Sequence, residues 1–381
     1  MISANTLRLG IVGLGNIAGQ HLDYLQAGEV AGCEVTALSS RTAPATAPLP
    51  HFVDYRELIA SGLCDAVLVA TPTFTHYEIG AAVLDAGLHL MMEKPLGLSV
   101  AEGESLLARQ GDGQVFALML NQRSDPLFLR MRDVLQAEEL GNITRTHWTM
   151  TNWFRPEIYF QVSDWRATWR GEGGGLLVNQ CIHNLDIFQW LCGMPEEVQA
   201  WCEFGKYHDI EVEDEATAYL RYASGATGLF VGSTGEAPGV NRLDIIGDRG
   251  SLHYDGERLV NIRNTPGTVE YSRRTRDMFG MPASEPVDIT PERNINQHAA
   301  VMRNFVAAIS GREDLIAPAS DGLDSLALAN AMLLSTWVSA PVGLPLDSQR
   351  YQAALEQRLA ASTLREKADI EAKVDMSQSY R

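Results

Sequence analysis

A short apolar run, Leu7-Arg8-Leu9-Gly10-Ile11-Val12, leads directly into Gly13-Leu14-Gly15-Asn16-Ile17-Ala18, and a helical pattern follows through Tyr24-Leu25. A strand, a turn of small residues and a helix in that order leave the chain few folds. Gly13 permits the tight turn, Gly15 lets the backbone approach a pyrophosphate, and Ala18 lets the helix pack on the strand. The G-x-G-x-x-A spacing is weak alone and strong between a strand and a helix. It places Gly13, Gly15, Asn16 and Ile17 at the phosphates of a dinucleotide.

The alternation continues for the first third of the chain. Glu34 to Leu38 reads as a second strand, Tyr55 to Ile59 as a helix, and Ala66 to Ala70 as a buried parallel strand ending in Thr71-Pro72-Thr73. His76 opens a helix through Leu84. Leu88 to Met92 is the next strand and delivers Glu93-Lys94-Pro95; Val115 to Leu120 leads to Asn121-Gln122-Arg123. This pattern predicts a Rossmann-type doubly wound parallel sheet over residues 1–124. Such sheets bind ligands at the carboxyl ends of their strands, which puts Thr71, Pro72, His76, Glu93, Lys94 and Asn121 on the cofactor side. An ammonium beside a nicotinamide can hold a substrate hydroxyl and help move its proton, so Lys94 is the leading candidate for chemistry.

An NAD enzyme usually places an acid on the ribose about twenty residues past the last glycine. Here the second strand ends in Ser39-Ser40-Arg41. Ser40 and Arg41 suit a 2′-phosphate better, which favours NADP and leaves NAD open. The plainer alternative is that Arg41 is a solvated turn residue. Thr42 to Pro50 holds three prolines and is no ordinary helix.

Beyond residue 125 the period changes. After a helix from Leu127 to Leu140, short two-periodic segments between Ile143 and Arg263 predict a large, mostly antiparallel open sheet with one face covered. Helices return at Asn296 to Ile309 and Gly322 to Val338. The fold class is therefore α/β plus α+β: residues 125–361 form the second domain, for substrate and oligomerisation, and 362–381 a charged tail. Within it, Gly171-Glu172-Gly173-Gly174-Gly175 precedes an apolar stretch, Leu176 to Leu191, that reads as one buried helix. Asn179, His183 and Asp186 would share one face of it. Buried polar groups need partners or a cavity that substrate enters. A core histidine bonded to backbone is the ordinary alternative for His183, and the stripe and the glycine loop favour function. Four of the seven tryptophans lie between Trp148 and Trp169. Trp153, Tyr159, Trp165 and Trp169 offer flat faces and polar edges to a ligand, or simply pack the core. Arg155, Arg166 and Arg170 lie in the same stretch.

A net charge of −18 argues against a nucleic-acid partner. Five cysteines without a C-x-x-C pair indicate neither a disulfide framework nor a structural zinc site. Met1 to Thr6 carries no basic or apolar leader, and no apolar run reaches membrane-span length; the expectation is a cytoplasmic protein.

At Gly13-Leu14-Gly15, Ala70-Thr71-Pro72, Glu93-Lys94-Pro95 and Gly173-Gly174-Gly175 leading to His183 and Asp186, the chain resembles the Gfo/Idh/MocA family. Pro341-Val342-Gly343-Leu344-Pro345 is also similar. The resemblance implies NAD(P)-dependent alcohol–ketone interconversion on a sugar, glycoside, anhydrosugar or inositol. Lys94 would hold the reacting oxygen and His183 would be general base or acid. Asn179, Trp153, Arg155, Tyr159, Trp165 and Asp186 would contact the carbohydrate. The family often has aspartate four residues before the histidine; Asn179 stands there instead. Either Asp186 contributes the missing charge or the site works without it. A homodimer or homotetramer is implied by analogy. Two other classes fit the motifs: a redox-neutral glycoside-cleaving enzyme with retained NAD, and a non-catalytic dinucleotide-binding regulator.

Overall fold

A computed structural model of the chain describes residues 6–42, 49–366, 370 and 373. Pro44 and Pro48, the first five residues and thirteen of the twenty residues of the 362–381 tail lie outside the described residues. Strands β1 (Leu7–Val12), β2 (Cys33–Ser39), β3 (His51–Phe52), β4 (Ala66–Val69), β5 (His89–Met92) and β6 (Phe116–Leu118) form a parallel sheet in the order β3-β2-β1-β4-β5-β6. Strand order reverses at β1, so the crevice beside the glycine turn lies at the switch point where such sheets bind ligands. β4 is buried at every residue, as a central strand covered on both faces must be.

The second sheet contains β7 (Ile143–Met150), β8 (Glu197–Phe204), β9 (Glu213–Arg221), β10 (Thr227–Ser233), β11 (Asn241–Gly247), β12 (Gly250–Tyr254), β13 (Leu259–Thr265), β14 (Ala283–Asp288) and β15 (Val342–Gly343). Their order is β14-β13-β12-β11-β7-β10-β9-β8-β15, antiparallel throughout except for the β7–β10 pair. Alternate residues of β8 and β9 are buried, and the helices Ile182–Cys192 and Gly322–Val338 contribute to the same core. The opposite face leaves Trp201 and Tyr219 exposed.

Two differences from the sequence reading concern organisation. The core boundary does not follow the chain: helix Gln297–Ile309 and Ala317 and Ala319 pack into the first core, through Ala299, Val301, Met302 and Phe305. Leu118 N–H donates to Ala317 O, which extends the contact to β6. The helix after Asp125 also stops at Gln136 rather than Leu140.

Arg123 ties the halves together. It is buried, and its Nε and Nη2 donate to Asp186 Oδ2 and Oδ1 at 2.8 and 2.7 Å, while Nη1 reaches Asp321. This forked geometry satisfies both carboxylate oxygens of Asp186. Arg123→Met should therefore lower unfolding stability by about 3–5 kcal/mol, because a buried carboxylate loses its partner. A loss below 1 kcal/mol in urea denaturation would show the pair to be incidental.

Candidate active site

The carboxyl edge of the first sheet fits a dinucleotide. Gly13 has φ of 95°, and a Cβ there would overlap Ala70 O. Open space surrounds Gly15, which caps helix Asn16–Gln26 without a side-chain hydrogen bond. The first N–H groups of that helix, at Asn16 and Ile17, are thus left for an anion. Across the crevice, Asn121 Nδ2 donates to Gln297 Oε1 at 2.8 Å, while its buried Oδ1 has no partner among the described residues. Such an orphaned acceptor suits an amide donor. At the other end Arg41 is exposed, and Ser40 Oγ lies 2.7 Å from Thr42 O and 3.0 Å from His51 Nε2. Thr71 and Pro72 are half-buried at the end of β4.

Two residues expected on the cofactor turn their side chains elsewhere. His76 is buried, with Nδ1 2.8 Å from Pro95 O and Nε2 2.8 Å from Thr71 O. It clasps the two loops that form the crevice and offers no ring nitrogen to a ligand. Glu93 Oε1 is 2.8 Å from His21 Nε2, and His21 Nδ1 meets Tyr24 OH. Burial opposes charge on Glu93, yet the hydrogen bond and charge of His21 overcome it and hold this carboxyl at about 2.

Lys94 is where the halves meet. Its Nζ donates to Asn179 O at 2.8 Å and lies 3.4 Å from Asn179 Oδ1. Burial lowers its pKa, opposed by Glu93, Tyr159 and Glu172. His183 is held well below the ordinary imidazole value, first by burial and then by the charge of Lys94. The two groups therefore share one electrostatic environment. His183 Nδ1 is buried with no partner among the described residues. A neutral imidazole within electrostatic reach of an ammonium pairs a base with a group that can hold an oxygen.

The expected single helix from Leu176 is a correction. Helix begins only at Ile182, and Asn179 sits in an irregular turn before it. The cause is Glu213, whose carboxylate accepts the N–H groups of Gly175 and Leu177 at 2.9 Å, while its backbone O accepts that of Leu176. These bonds fix the segment against β9 in a shape that a helix cannot share. Gly175 is required there, since a Cβ would overlap Glu213 O. Asp186 is a second correction: with Arg123 and Gln189 on its oxygens, it is a structural anchor and not a carbohydrate ligand.

The aromatic stretch divides. Trp169 packs in the core against Trp337, and Trp153 is buried with its indole N–H directed at Asn184 Oδ1. Tyr159 and Trp165 remain half-buried. The Arg155 guanidinium lies over Trp153 and Tyr159, at 5.1 and 5.2 Å. That of Arg166 lies over Tyr159 and Trp165, at 4.4 and 4.9 Å. Tyr159, Trp165 and the two guanidinium groups thus form one half-buried aromatic and cationic cluster.

Sequence reading missed His21, Glu172, Glu213 and His298. His298 stands with its ring 5.6 Å from that of His21, and burial brings its pKa down to about 4. Glu172 lay in plain view inside the glycine loop. Glu213 sits in Glu211-Val212-Glu213-Asp214-Glu215, which reads as a solvated run.

A nucleotide crevice at the strand ends, facing a lysine and a neutral histidine, defines a nicotinamide-dependent oxidoreductase. Residues 7–118 match the oxidoreductase family with an NAD-binding Rossmann fold, and residues 128–253 match the GFO/IDH/MocA C-terminal domain. The chain belongs to the GFO/IDH/MocA family, whose members act as NAD(P)-dependent dehydrogenases on carbohydrate alcohols. Among its relatives is the myo-inositol 2-dehydrogenase of Thermotoga maritima, 26% identical over 85% of this chain and 95% of the relative. Inositol 2-dehydrogenase 2 of Paenarthrobacter aurescens is 25% identical over 86% and 96%. In fold, the chain is similar to the WlbA dehydrogenase of Bordetella pertussis, solved with NADH and UDP-GlcNAcA, with a TM-score of 0.75, 24% identity and coverage of 90% and 100%. Levoglucosan dehydrogenase, solved with NADH and levoglucosan, gives a TM-score of 0.73 at 19% identity, covering 89% and 99%.

Because Glu93 is depressed from 4.5 to about 2, its contribution to stability is full above pH 4.5 and is lost as pH falls towards 2. Glu93→Gln should cost on the order of 1–3 kcal/mol near pH 7. Thermal melts should show the gap from the parent closing between pH 4.5 and 2. A gap that does not change with pH would show that Glu93 is not held ionised by His21.

Proposed function

We propose that this chain interconverts a secondary alcohol and a ketone on a sugar, glycoside, anhydrosugar or inositol, with Lys94 and His183 as its acid–base groups. The observation that carries the reading is that Lys94, at the strand-end crevice, donates to Asn179 O, four residues before His183, whose buried Nδ1 has no partner among the described residues. A bound NAD(P) supplies the hydride acceptor or donor. In oxidation Lys94 holds the substrate oxygen, and its charge favours the oxyanion that forms as His183 takes the hydroxyl proton. In reduction His183 returns that proton to the carbonyl oxygen. A positioned acid–base pair of this kind contributes roughly a hundredfold to ten-thousandfold in rate. Tyr159 and Trp165 offer ring faces to the sugar, and Arg155, Arg166 and Asn179 offer polar contacts; Trp153 shapes the pocket from behind. The names of the inositol and levoglucosan relatives support this substrate class.

We infer NADP as the preferred cofactor from Ser40 and the exposed Arg41 at the end of β2, where no acid is present to bind a 2′-hydroxyl. The exposed face of the second sheet, with Trp201 and Tyr219, supports assembly into dimers or tetramers. No helix among the described residues is long and apolar enough to cross a membrane.

Incubating the purified protein with each cofactor and a panel of hexoses, glycosides, anhydrosugars and inositols, while following nicotinamide absorbance, tests the reading. Stoichiometric reduced nicotinamide is expected; product without net cofactor change would identify the redox-neutral glycoside-cleaving alternative. Lys94→Ala should lower turnover at least a thousandfold and leave dinucleotide affinity within about twofold. Full activity in that variant removes the lysine from the mechanism. Arg41→Ala should weaken NADP about tenfold more than NAD in fluorescence titration; equal losses would show the arginine to be idle.

A further inference from the structure

The site has Asn179 where a carboxylate would be useful, and Asp186 is committed to Arg123. A different carboxylate stands behind the amide. Glu172, buried at the end of the short helix Trp169–Glu172, accepts from Asn179 Nδ2 at 2.5 Å through Oε1 and from Ala167 N–H at 2.6 Å through Oε2. Asn179 Oδ1 then points towards Lys94 Nζ. A primary amide is polar at both ends, so the group on one side decides which end faces the other.

We propose that Glu172 is a positioning residue: its carboxylate fixes the Asn179 amide so that the carbonyl end faces the Lys94 ammonium, carrying a charge to the lysine that Asn179 itself lacks. The proposal rests on the reading of Lys94 as the group that holds the reacting oxygen. With Glu172 ionised, donors and acceptors align along the row: Nζ donates to Asn179 O and Oδ1, and Nδ2 to Glu172 Oε1. With Glu172 protonated, its hydroxyl can donate, the amide is free to reverse, and an NH2 group would face the ammonium. The carboxyl is poised for such a change, since burial raises it to about 7 against the hydrogen bonds and charges of Ala167, Arg166, Lys94 and Asn179. Across a cavity of about 10 Å³, with room for roughly one water, it faces Glu213, also raised to about 7 by burial. The other charged or titratable groups around Lys94 are Glu93, Tyr159, Arg166, His183 and His298. Glu93 is held ionised by His21, and burial keeps His183 and His298 neutral near pH 7. Glu172 is the carboxylate near Lys94 that titrates in the physiological range.

The chain has four lysines, Lys94, Lys206, Lys367 and Lys373, so protein labelled with 13C at lysine Cε gives a spectrum in which Lys94 is assigned by its loss in Lys94→Arg. In the parent, the Lys94 resonance should show a step near pH 7 in addition to its own titration. Glu172→Gln should abolish that step, and Asn179→Ala should at least halve its size. A parent without the step, or a step unchanged in either variant, overturns the proposal. Should Glu172→Gln not fold, the parent and Asn179→Ala decide alone. The spectrum reads the coupling without any substrate, whereas turnover of Lys94→Ala tests the role of the lysine, so each can fail separately.

Discussion

The carboxylate of Glu213 sets the geometry on which the candidate active site depends. By accepting the N–H groups of Gly175 and Leu177, it prevents the segment before Ile182 from entering the helix that its apolar residues favour. The resulting turn carries Asn179 across to Lys94 and delivers His183 in the first turn of the helix beyond. A buried carboxylate is costly unless its oxygens are satisfied, and here backbone donors satisfy both. The local conflict between helical pattern and observed turn falls at the candidate site, where strain against local preference is expected.

Charge is distributed in a way that separates the roles of three acids. Glu93 is clamped by His21 and stays ionised, Asp186 is saturated by Arg123, and Glu172 is held by donors that only partly offset burial. The same residue type thus serves as fixed counter-charge, structural anchor and titrating neighbour, according to its partners. Lys94 and His183 lie among them, both biased by burial towards their neutral forms.

Much of this was legible in the sequence. The Gly13–Ala18 turn and the alternating apolar runs place the strands of the first sheet to within a residue or two, because central parallel strands must be continuously apolar. Lys94 and His183 stood out because each sits beside a distinctive motif. The short β3 was not legible, since two residues carry no period. Nor was the return of helix Gln297–Ile309 to the first core, as an amphipathic pattern shows that a face is buried and not against what. His76 is expected at the cofactor and Asp186 on a buried polar stripe, but their partners, Thr71 O, Pro95 O and Arg123, come from segments that only the folded chain assembles. Whether a buried polar group faces ligand or protein is not a property of its own segment.

That returning helix has a consequence for how the molecule can be taken apart. Residues 297–319 fill the outer layer of a nucleotide-binding unit whose strands end near residue 118. A graft that exchanged cofactor preference by transplanting the first 124 residues would leave Val301, Met302 and Phe305 against a foreign surface. The transferable module is discontinuous, two pieces of chain sewn into one body.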